Sequence, residues 1–273
     1  MKLLTVVVIY NPNLELLIEN LKPLISSPHI DEIIMWNNSN ETPNLELENI
    51  KVFSTGKNEG LSFAYNFAYN YAKINGFTHL MTMDQDSIWV NLEEYLKQIK
   101  SFNKIGIYTV SPNIKYNGEI CEINDGINSG SVISLEVLDA TNGFYKDFFI
   151  DAIDEYLHYE AQRLGYKVFL VGNCYIKQRV GASKPIHLLG KKLYTVLNYS
   201  PMRLYEMERN HTILLKLFNL PKKKRRSIIM LYYIRIPFNI IFSEKNKFNK
   251  IKAILMGIYD GVKNKKNRIL EIK

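Results

Sequence analysis

The sequence has little cysteine and lacks any long uninterrupted apolar run. Its two cysteines, Cys121 and Cys174, stand far apart, without the spacing of a zinc site or of a disulfide-rich domain. No stretch approaches the roughly 20 consecutive apolar residues of a spanning helix. The apolar run after Lys2 is too short and too β-branched for a signal peptide. No internal repeat is present, so we expect a non-repeat protein of a reducing compartment, soluble or peripheral to a membrane.

The positive charge of the chain is concentrated near its end. The 273 residues carry a net charge of +8 and are 47% hydrophobic, enough for a substantial core. From Lys216 to Lys273 there are 16 Lys and Arg against three acids, a net charge of +13, whereas the remainder carries 19 against 24, or −5. We therefore predict a catalytic domain at 1–215 and a basic helical region at 216–273 that contacts an anionic surface.

Strand and helix patterns alternate along the first half of the chain. The run LLTVVVIY is typical of a strand buried on both faces, and it is followed by a helix with leucines on one stripe. This rhythm continues through HLMTMD and predicts an α/β fold, Rossmann-like, with a mostly parallel mixed sheet. Ligands of such sheets bind beyond the carboxyl ends of the strands. The polar residues that end the strands, at 10–11, 37–39 and 84–87, are therefore the first candidates for a site.

Asp84 and Asp86 end one of these predicted strands. Two carboxylates so close repel each other unless a cation or hydrogen-bond donors lie beside them. Mg²⁺ or Mn²⁺, held by both carboxylates and by substrate phosphates, is a common solution. The alternative is an ordinary solvated acidic turn.

An ordered series of motifs resembles the family 2 glycosyltransferases, in particular the rhamnosyltransferase-like branch. The motifs are VVVIYNPN, the asparagines Asn37 and Asn38, NEGLSFAYN, THLMTMDQDS, NSGSVIS, FIDAID, SPMRLYEMERN and LMGIYDGV. The resemblance implies a GT-A fold and an inverting transfer of one sugar from a nucleotide donor. It further implies dTDP-rhamnose as donor and, as acceptor, a lipid-linked or growing bacterial surface polysaccharide such as O-antigen or capsule.

The resemblance also implies roles for individual residues. Those implied to bind the donor are Tyr10, Asn37, Asn58, Gly60, Asp84 and Asp86, the last two with the metal ion. Those implied to line the acceptor and diphosphate cleft are Ser129, Gly130, Arg203 and Arg209. The catalytic base is implied to be Asp154, with Asp151 second. Either aspartate could instead cap the following helix, and Arg203 and Arg209, six residues apart, do not share one ideal helical face.

The sequence departs from the family pattern at several positions. Trp36 stands where relatives have an Asp, Tyr156 where they have an acid, Glu160 where they have an Arg and Gln178 where they have a histidine of the metal site. His187 is either a substitute for that histidine or an ordinary loop residue.

The basic region begins with KKKRR at 222–226 and continues as SIIMLYYIRIPFNIIF. Such a combination is typical of a segment that lies on a membrane, with Lys and Arg near anionic headgroups. Packing on the catalytic body or on a second copy in a homo-oligomer is the alternative. Nucleic-acid binding is disfavoured because no nucleic-acid motif accompanies the basic run. We thus expect a cytoplasmic enzyme, peripheral on the inner face of the bacterial membrane.

Two other functions remain open at this level. A UDP-hexose donor for a galactosyl, galactofuranosyl or glucosyl transfer is one. A catalytically silent module that binds a nucleotide-sugar or a glycan is the other, motivated by the departures at Tyr156, Glu160 and Gln178.

Overall fold

The chain divides into two compact units. A computed structural model describes residues 1–41, 50–178 and 198–265, with the backbone of 184–188 and 191–196. The α/β unit comprises Met1–Lys146 and Ile153–Arg179, and the helical unit comprises Asp147–Ala152 and Val180–Lys273. The predicted functional division after residue 215 stays a prediction. The compact units divide earlier, because the helix Pro201–Leu217 packs against the helix Lys247–Lys263.

The α/β unit contains a mixed sheet, which within the described residues has nine strands. They are β1 Leu3–Ile9, β2 Glu32–Asn37, β3 Ile50–Ser54, β4 His79–Asp84, β5 Ser87–Val90, β6 Gly106–Pro112, β7 Cys121–Ile123, β8 Ser131–Ser134 and β9 Lys167–Gln178. The strand order is β3-β2-β1-β4-β8-β6-β9-β5, and β7 pairs with β9. Strands β3, β2, β1 and β4 are mutually parallel, whereas β8 runs antiparallel between β4 and β6. The predicted α/β fold with a mixed sheet is confirmed.

Helices cover both faces of this sheet. They are α1 Leu14–Ile25, α2 Leu61–Ile74, α3 Leu92–Phe102, α4 Leu135–Thr141 and α5 Ile153–Arg163. Met35 of β2 belongs to the core cluster that α1 and α3 help to form. Its neighbour Trp36 packs against Phe63 and Phe67 of α2. Because successive strand residues point to opposite faces, the sheet is buried on both sides.

The helical unit is built around one helix that is buried on all sides. Its elements are β10 Lys184–Leu188, β11 Lys191–Val196, α6 Pro201–Leu217, α7 Lys222–Ile228, a π-helix at Ile229–Arg235, α8 Ile236–Ser243 and α9 Lys247–Lys263. Every residue from Leu204 to Leu214 of α6 is buried. No helix in the described part of the chain is long and apolar enough to cross a membrane.

Close packing of α9 on α6 depends on two glycines. A Cβ atom at Gly257 would lie 2.5 Å from the carbonyl oxygen of Tyr205, and one at Gly261 would lie 2.7 Å from that of Arg209. The Tyr205 hydroxyl donates to Asp260 over 3.0 Å. Glycine at both positions therefore lets the two helix backbones approach, and a buried hydrogen bond fixes their register.

Candidate active site

The carboxyl ends of β1, β2 and β4 meet at one edge of the sheet. In the parallel register Val8 pairs with both Trp36 and Asp84, and Ile9 pairs with Asn37. Tyr10, the next residue of the chain, is 53% exposed. The strand ends that the sequence predicted to carry a site are therefore neighbours, and Tyr10 presents an open aromatic surface beside them.

Gln85, the middle residue of the D-Q-D motif, hydrogen-bonds the end of β4 to the end of β1. The Gln85 side-chain oxygen accepts from the backbone N–H of Tyr10 over 2.7 Å, and its amide donates to the Tyr10 carbonyl over 3.1 Å. The backbone carbonyl of Gln85 accepts from the Asn20 amide over 2.5 Å. Sequence reasoning assigned Gln85 no role. The signal was its position between the two aspartates, where a side chain that both donates and accepts can pair with a neighbouring backbone.

The asparagines after β2 organise the loops around the site. Asn37 is fully buried, and its side chain is bonded to the backbone of Ser39 and Glu41. Asn38 accepts from the Trp36 indole over 2.9 Å and donates to the Gly60 carbonyl over 3.3 Å. The structure thus places Asn37 at the predicted sheet edge with its own amide already engaged.

Asn58 and Gly60 form the turn that begins α2. The Asn58 side chain accepts from the Gly60 N–H over 3.0 Å, and Gly60 has φ = +84°. That left-handed value favours glycine over any residue with a Cβ atom. Asn58 is exposed and Gly60 is buried, so only the asparagine presents a side chain to solvent. The predicted donor contacts of both residues stay predictions.

Trp36 explains one departure from the family pattern. The side chain is only 3% exposed and packs between aromatic rings of α2, 5.2 Å from Phe63 and 4.7 Å from Phe67 between ring centroids. A carboxylate could not occupy this apolar position without a large desolvation cost. The residue therefore stabilises the packing of α2 on the sheet.

Asp84 and Asp86 extend beyond the end of β4 with different exposures. Asp86 is exposed and Asp84 is partly buried. The backbone N–H of Asp84 donates to the Ser129 hydroxyl over 3.0 Å, and that hydroxyl donates to Ser87 over 2.9 Å. The Gln178 amide donates to Oδ2 of Asp84 over 3.0 Å.

Ser129 and Gly130, in the turn just before β8, support this strand end. Ser129 is buried, and Gly130 donates its N–H to Thr82 of β4 over 2.7 Å. Gly130 has φ = +82°, and a Cβ atom there would lie 2.9 Å from the Trp89 ring. The two residues predicted to line the sugar and acceptor cleft therefore lie beside Asp84. Their contacts in the structure hold the strand end in place.

A buried tyrosine connects the D-Q-D carboxylate with the predicted base. Tyr65 of α2 is completely buried, and its hydroxyl accepts from the Asn128 amide over 2.6 Å. Burial raises the pKa of Tyr65 well above its usual value, and the negative charges of Asp84 and Asp154 raise this pKa further. The charges of both carboxylates therefore raise the pKa of the same phenol. Two sequence-predicted residues 70 positions apart thus lie in the neighbourhood of Tyr65.

Asp154 lies in the first turn of α5. Its Oδ1 accepts from the backbone N–H of Glu155 over 2.9 Å, and the side chain is partly exposed. Asp151 and Ala152, just before the helix, both have left-handed backbones with φ of +63° and +62°. Non-glycine residues rarely adopt this conformation, and such strain is concentrated at functional sites.

Tyr156 and Glu160 of α5 have partners that explain their departure from the family pattern. The Tyr156 ring stacks on that of Tyr145, 4.4 Å between centroids. Burial raises the pKa of Tyr156 to about 12, with a further contribution from Glu160. Glu160 itself is paired with Arg163 over 2.6 Å. Tyr156 is therefore a neutral phenol at neutral pH and cannot replace the carboxylate that the family pattern has at this position.

In the helical unit, α6 holds the segment 147–152 that precedes α5 in the chain. Arg203 binds both carboxylate oxygens of Asp151, each over 3.0 Å. The Asn210 amide donates to the carbonyls of Ile150 over 2.8 Å and Asp151 over 3.1 Å. The sequence did not predict that the segment SPMRLYEMERN holds residues 147–152 in place.

The two arginines of α6 have different surroundings. The Arg203 side chain is 39% exposed and stacks over the Tyr199 ring at 4.7 Å. Arg209 is 1% exposed, and its guanidinium donates to the carbonyls of Asp147 and Lys265 and to Asn210. Of the two, only Arg203 has an exposed surface that a phosphate can reach.

A divalent cation fits the residues at the end of β4. Among the described residues, no cluster of three or more His, Cys, Asp or Glu side chains is present. Two carboxylates with phosphates of a substrate nevertheless match the usual oxygen shell of Mg²⁺, whereas the Gln178 side chain turns its NH₂ group toward Asp84. The rest of the predicted element, 179–181, lies outside the described residues, and His187 lies in β10.

Comparisons with known proteins agree with this geometry. No family model matches the chain. It is 25% identical to the dTDP-rhamnosyl transferase RfbF of Shigella flexneri, over 94% of both proteins. Among solved structures, residues 1–349 of TarS from S. aureus have a TM-score of 0.61 at 14% identity, covering 96% of this chain and 81% of that one. The same TarS fragment in complex with UDP-GlcNAc gives a TM-score of 0.59 at 15% identity, with coverages of 100% and 84%.

A third structural relative was solved with a metal ion. The mannosyltransferase PcManGT of Pyrobaculum calidifontis, in complex with GDP-Man and Mn²⁺, has a TM-score of 0.61 at 12% identity, covering 99% of this chain and 77% of that one. The predicted GT-A fold and the resemblance to family 2 glycosyltransferases are confirmed.

Proposed function

We propose that this chain, a glycosyltransferase of the family 2 type with the GT-A fold, transfers rhamnose from dTDP-rhamnose onto a lipid-linked or growing bacterial surface polysaccharide. The likeness to the Shigella flexneri enzyme over nearly the whole chain supports this donor, which that enzyme's name gives. The observation that carries the proposal is the meeting of the carboxyl ends of β1, β2 and β4 at one edge of the sheet, where Asp84 ends β4 beside the buried Ser129.

Donor binding is assigned to the edge formed by β1, β2 and β4. The exposed ring of Tyr10 would stack on the base of the nucleotide, and Asn58 would offer its exposed amide to the nucleoside. Asp84 and Asp86 would hold Mg²⁺ or Mn²⁺ there. When bound, that ion would neutralise charge on the departing nucleoside diphosphate.

Asp154 is assigned as the catalytic base. Its carboxylate takes the proton of the acceptor hydroxyl while that oxygen bonds to the anomeric carbon, and the bond from this carbon to the diphosphate oxygen breaks on the opposite face. The product is the glycoside with inverted configuration and a nucleoside diphosphate. Asp151 is less suited to this role, because both of its oxygens accept from Arg203.

Arg203 is assigned to the diphosphate or to a phosphate of the acceptor. Its side chain is the more exposed of the two predicted arginines, and a phosphate would compete with the Asp151 carboxylate that its Nε and Nη2 now bind. Arg209 is assigned to holding the segment 147–152, since its donors are occupied by carbonyl oxygens.

The basic region is assigned to the surface of an anionic membrane, at its cytoplasmic face. Helix α7 carries the cations of 222–226, and the π-helix and α8 that follow expose large apolar side chains. These are Ile229, Met230, Leu231, Ile234, Phe238, Ile241 and Phe242. Such a surface fits the interface of a bilayer, where a lipid-linked acceptor would be found. Residues 266–273 of the predicted region lie outside the described residues.

The first experiment is a donor screen with the purified chain. Binding and hydrolysis of dTDP-rhamnose and of a set of UDP-hexoses would be measured with Mn²⁺ or Mg²⁺, and again after chelation. We expect a response to dTDP-rhamnose that requires the metal. In Asp86→Asn we expect turnover to fall by at least about a hundredfold. Glu119→Gln, at an exposed acid of the same unit, is the control and should behave as the unmodified chain.

Other outcomes of this screen identify the alternatives. A metal-dependent response to a UDP-hexose alone would replace rhamnose by that hexose. Donor binding without turnover, even when lipid-linked acceptor and anionic vesicles are supplied, would favour the silent binding module.

A further inference from the structure

Helix α9 has two faces of opposite character. Its inner face is buried against α6 and contains Ala253, Ile254, Gly257 and Gly261. Its outer face exposes a stripe of large apolar side chains, whose exposed fractions are high. They are Phe248 at 80%, Leu255 at 62%, Tyr259 at 51% and Val262 at 52%. Their spacing of seven, four and three residues keeps them on one side of the helix.

A shallow apolar groove runs along this outer face. Its volume is about 440 Å³. The residues that line it all belong to α9, and they are Phe248, Ile251, Lys252, Leu255, Met256 and Tyr259. The groove is therefore a depression between side chains of one helix, lined by apolar groups and one lysine.

The charge around the groove is entirely positive among the described residues from 244 to 265. Its two acids are turned inward: the Glu244 side chain is 7% exposed and lies 2.5 Å from the Lys250 ammonium, and Asp260 is fully buried on the Tyr205 hydroxyl. The exposed charges of α9 and its ends are lysines. They are Lys245, Lys247, Lys252, Lys263 and Lys265.

We propose that the outer face of α9 lies in the interface of an anionic bilayer, with the groove taking lipid acyl chains and the lysines contacting headgroup phosphates. This inference rests on the proposed membrane contact of the basic region and assigns one part of that contact to a particular face of α9. An apolar stripe flanked by lysines is the pattern of an interfacial helix. The lysine stems can lie along the acyl boundary while their ammonium groups reach the phosphates.

A second copy of the chain fits this face less well. An isologous contact would bring the same surface of two copies together. The lysines of one α9 would then face those of the other, and the helix exposes no acid that could pair with them. Anionic headgroups supply that missing negative charge.

The test is the partition of the full-length chain onto phosphatidylcholine vesicles with and without phosphatidylglycerol. We expect binding only when phosphatidylglycerol is present, and we expect the variant Phe248→Ser with Leu255→Ser to bind at least about tenfold more weakly. The control is Ile74→Ser with Ile114→Ser, which removes apolar side chains that are 84% and 73% exposed in the α/β unit. The control should bind as the unmodified chain does.

A fluorescent residue gives a second measurement that does not depend on loss of binding. Trp36 and Trp89 are 3% and 5% exposed, so their emission should change little on vesicles. In Leu255→Trp the new indole would face the lipid, and its emission should shift to the blue when anionic vesicles are added. No shift on vesicles that bind the protein would overturn the placement of α9.

The outcomes separate this inference from the proposal on which it rests. If Lys222→Gln, Lys223→Gln and Arg226→Gln together abolish vesicle binding while the α9 variant binds normally, the α9 inference is wrong and the membrane contact of the basic region stands. If the unmodified chain binds no anionic vesicle, both membrane assignments fail, while the donor screen still decides sugar transfer. If the α9 variant instead changes the oligomeric state in solution, the face belongs to a second copy.

Discussion

Carboxylates occupy opposite environments in the two compact units. In the α/β unit, Asp84 is partly buried and Asp86 is exposed at a strand end. In the helical unit, Glu208 and Asp260 are completely buried and Glu244 nearly so. The two carboxylates at the strand end thus keep solvent-exposed surface, whereas these three of the helical unit contribute to packing. Burial of these three acids adds to the cationic character that the many lysines give the surface of the helical unit.

The largest expected effect concerns the partly exposed carboxylate of Asp154. In Asp154→Asn we expect kcat to fall by about 10² to 10⁴ with donor binding retained, because the amide cannot take the proton of the acceptor hydroxyl. Steady-state kinetics against donor and acceptor would measure this.

The matched control for this loss is Asp139→Asn. Asp139 is an exposed acid on α4 whose carboxylate is bound by Lys73, and its replacement should leave kcat unchanged. A normal rate in Asp154→Asn together with a large loss in Asp151→Asn would make Asp151 the base.

The buried carboxyl of Glu208 in the helical unit should make the free energy of unfolding depend on pH. Burial raises the pKa of Glu208 to about 8 from its ordinary value of 4.5, and neither carboxyl oxygen has a hydrogen-bond partner in the part of the chain that the structure describes. From about pH 4.5 to 8 the unfolded chain loses this proton while the folded chain keeps it, so the free energy of unfolding should fall as the pH rises. At about 1.4 kcal/mol for each pKa unit, the total is a few kcal/mol.

Glu208→Gln should remove this pH dependence. We expect its urea midpoint to match that of the unmodified chain near the ordinary pKa of 4.5 and to exceed it near pH 8. Tyr233, whose raised pKa also reflects Glu208, titrates above this window. Glu119→Gln again serves as the control, and its stability should follow the unmodified chain at every pH. Parallel profiles for Glu208→Gln and the unmodified chain would show that the carboxyl is ionised in the fold.

The comparison of the two units also separates the features that the sequence could predict from those that it could not. Periodic leucines after Asn13 predict α1, and the structure buries Leu17, Leu21 and Leu24 there. The strand that ends at Asp84 and the alignment of its end with those of β1 and β2 were also predictable, because parallel strands align their carboxyl ends. These features depend on local patterns that a single stretch of sequence contains.

Features that depend on distant partners could not be predicted in the same way. Helix α6 contains Glu206, Glu208 and Arg209, which suggest a solvated helix, yet all three are buried. Arg209 is satisfied by the carbonyls of Asp147 and Lys265, residues about 60 positions away in either direction. No local pattern indicates those acceptors, so the sequence predicted a phosphate contact for this arginine.

The smallest expected effect compares the two faces of α9. Gly257→Ala should lower the free energy of unfolding by about 1–3 kcal/mol, because its new methyl group would lie 2.5 Å from the Tyr205 carbonyl and must push two helices apart. Leu255→Ala, two residues earlier on the outer face, should change it by less than about 0.5 kcal/mol, since the side chain is 62% exposed. Thermal or urea unfolding of both variants measures the contrast. Were Leu255→Ala as destabilising as Gly257→Ala, the outer stripe would contribute to packing within the chain, and its exposure would no longer argue for a lipid surface.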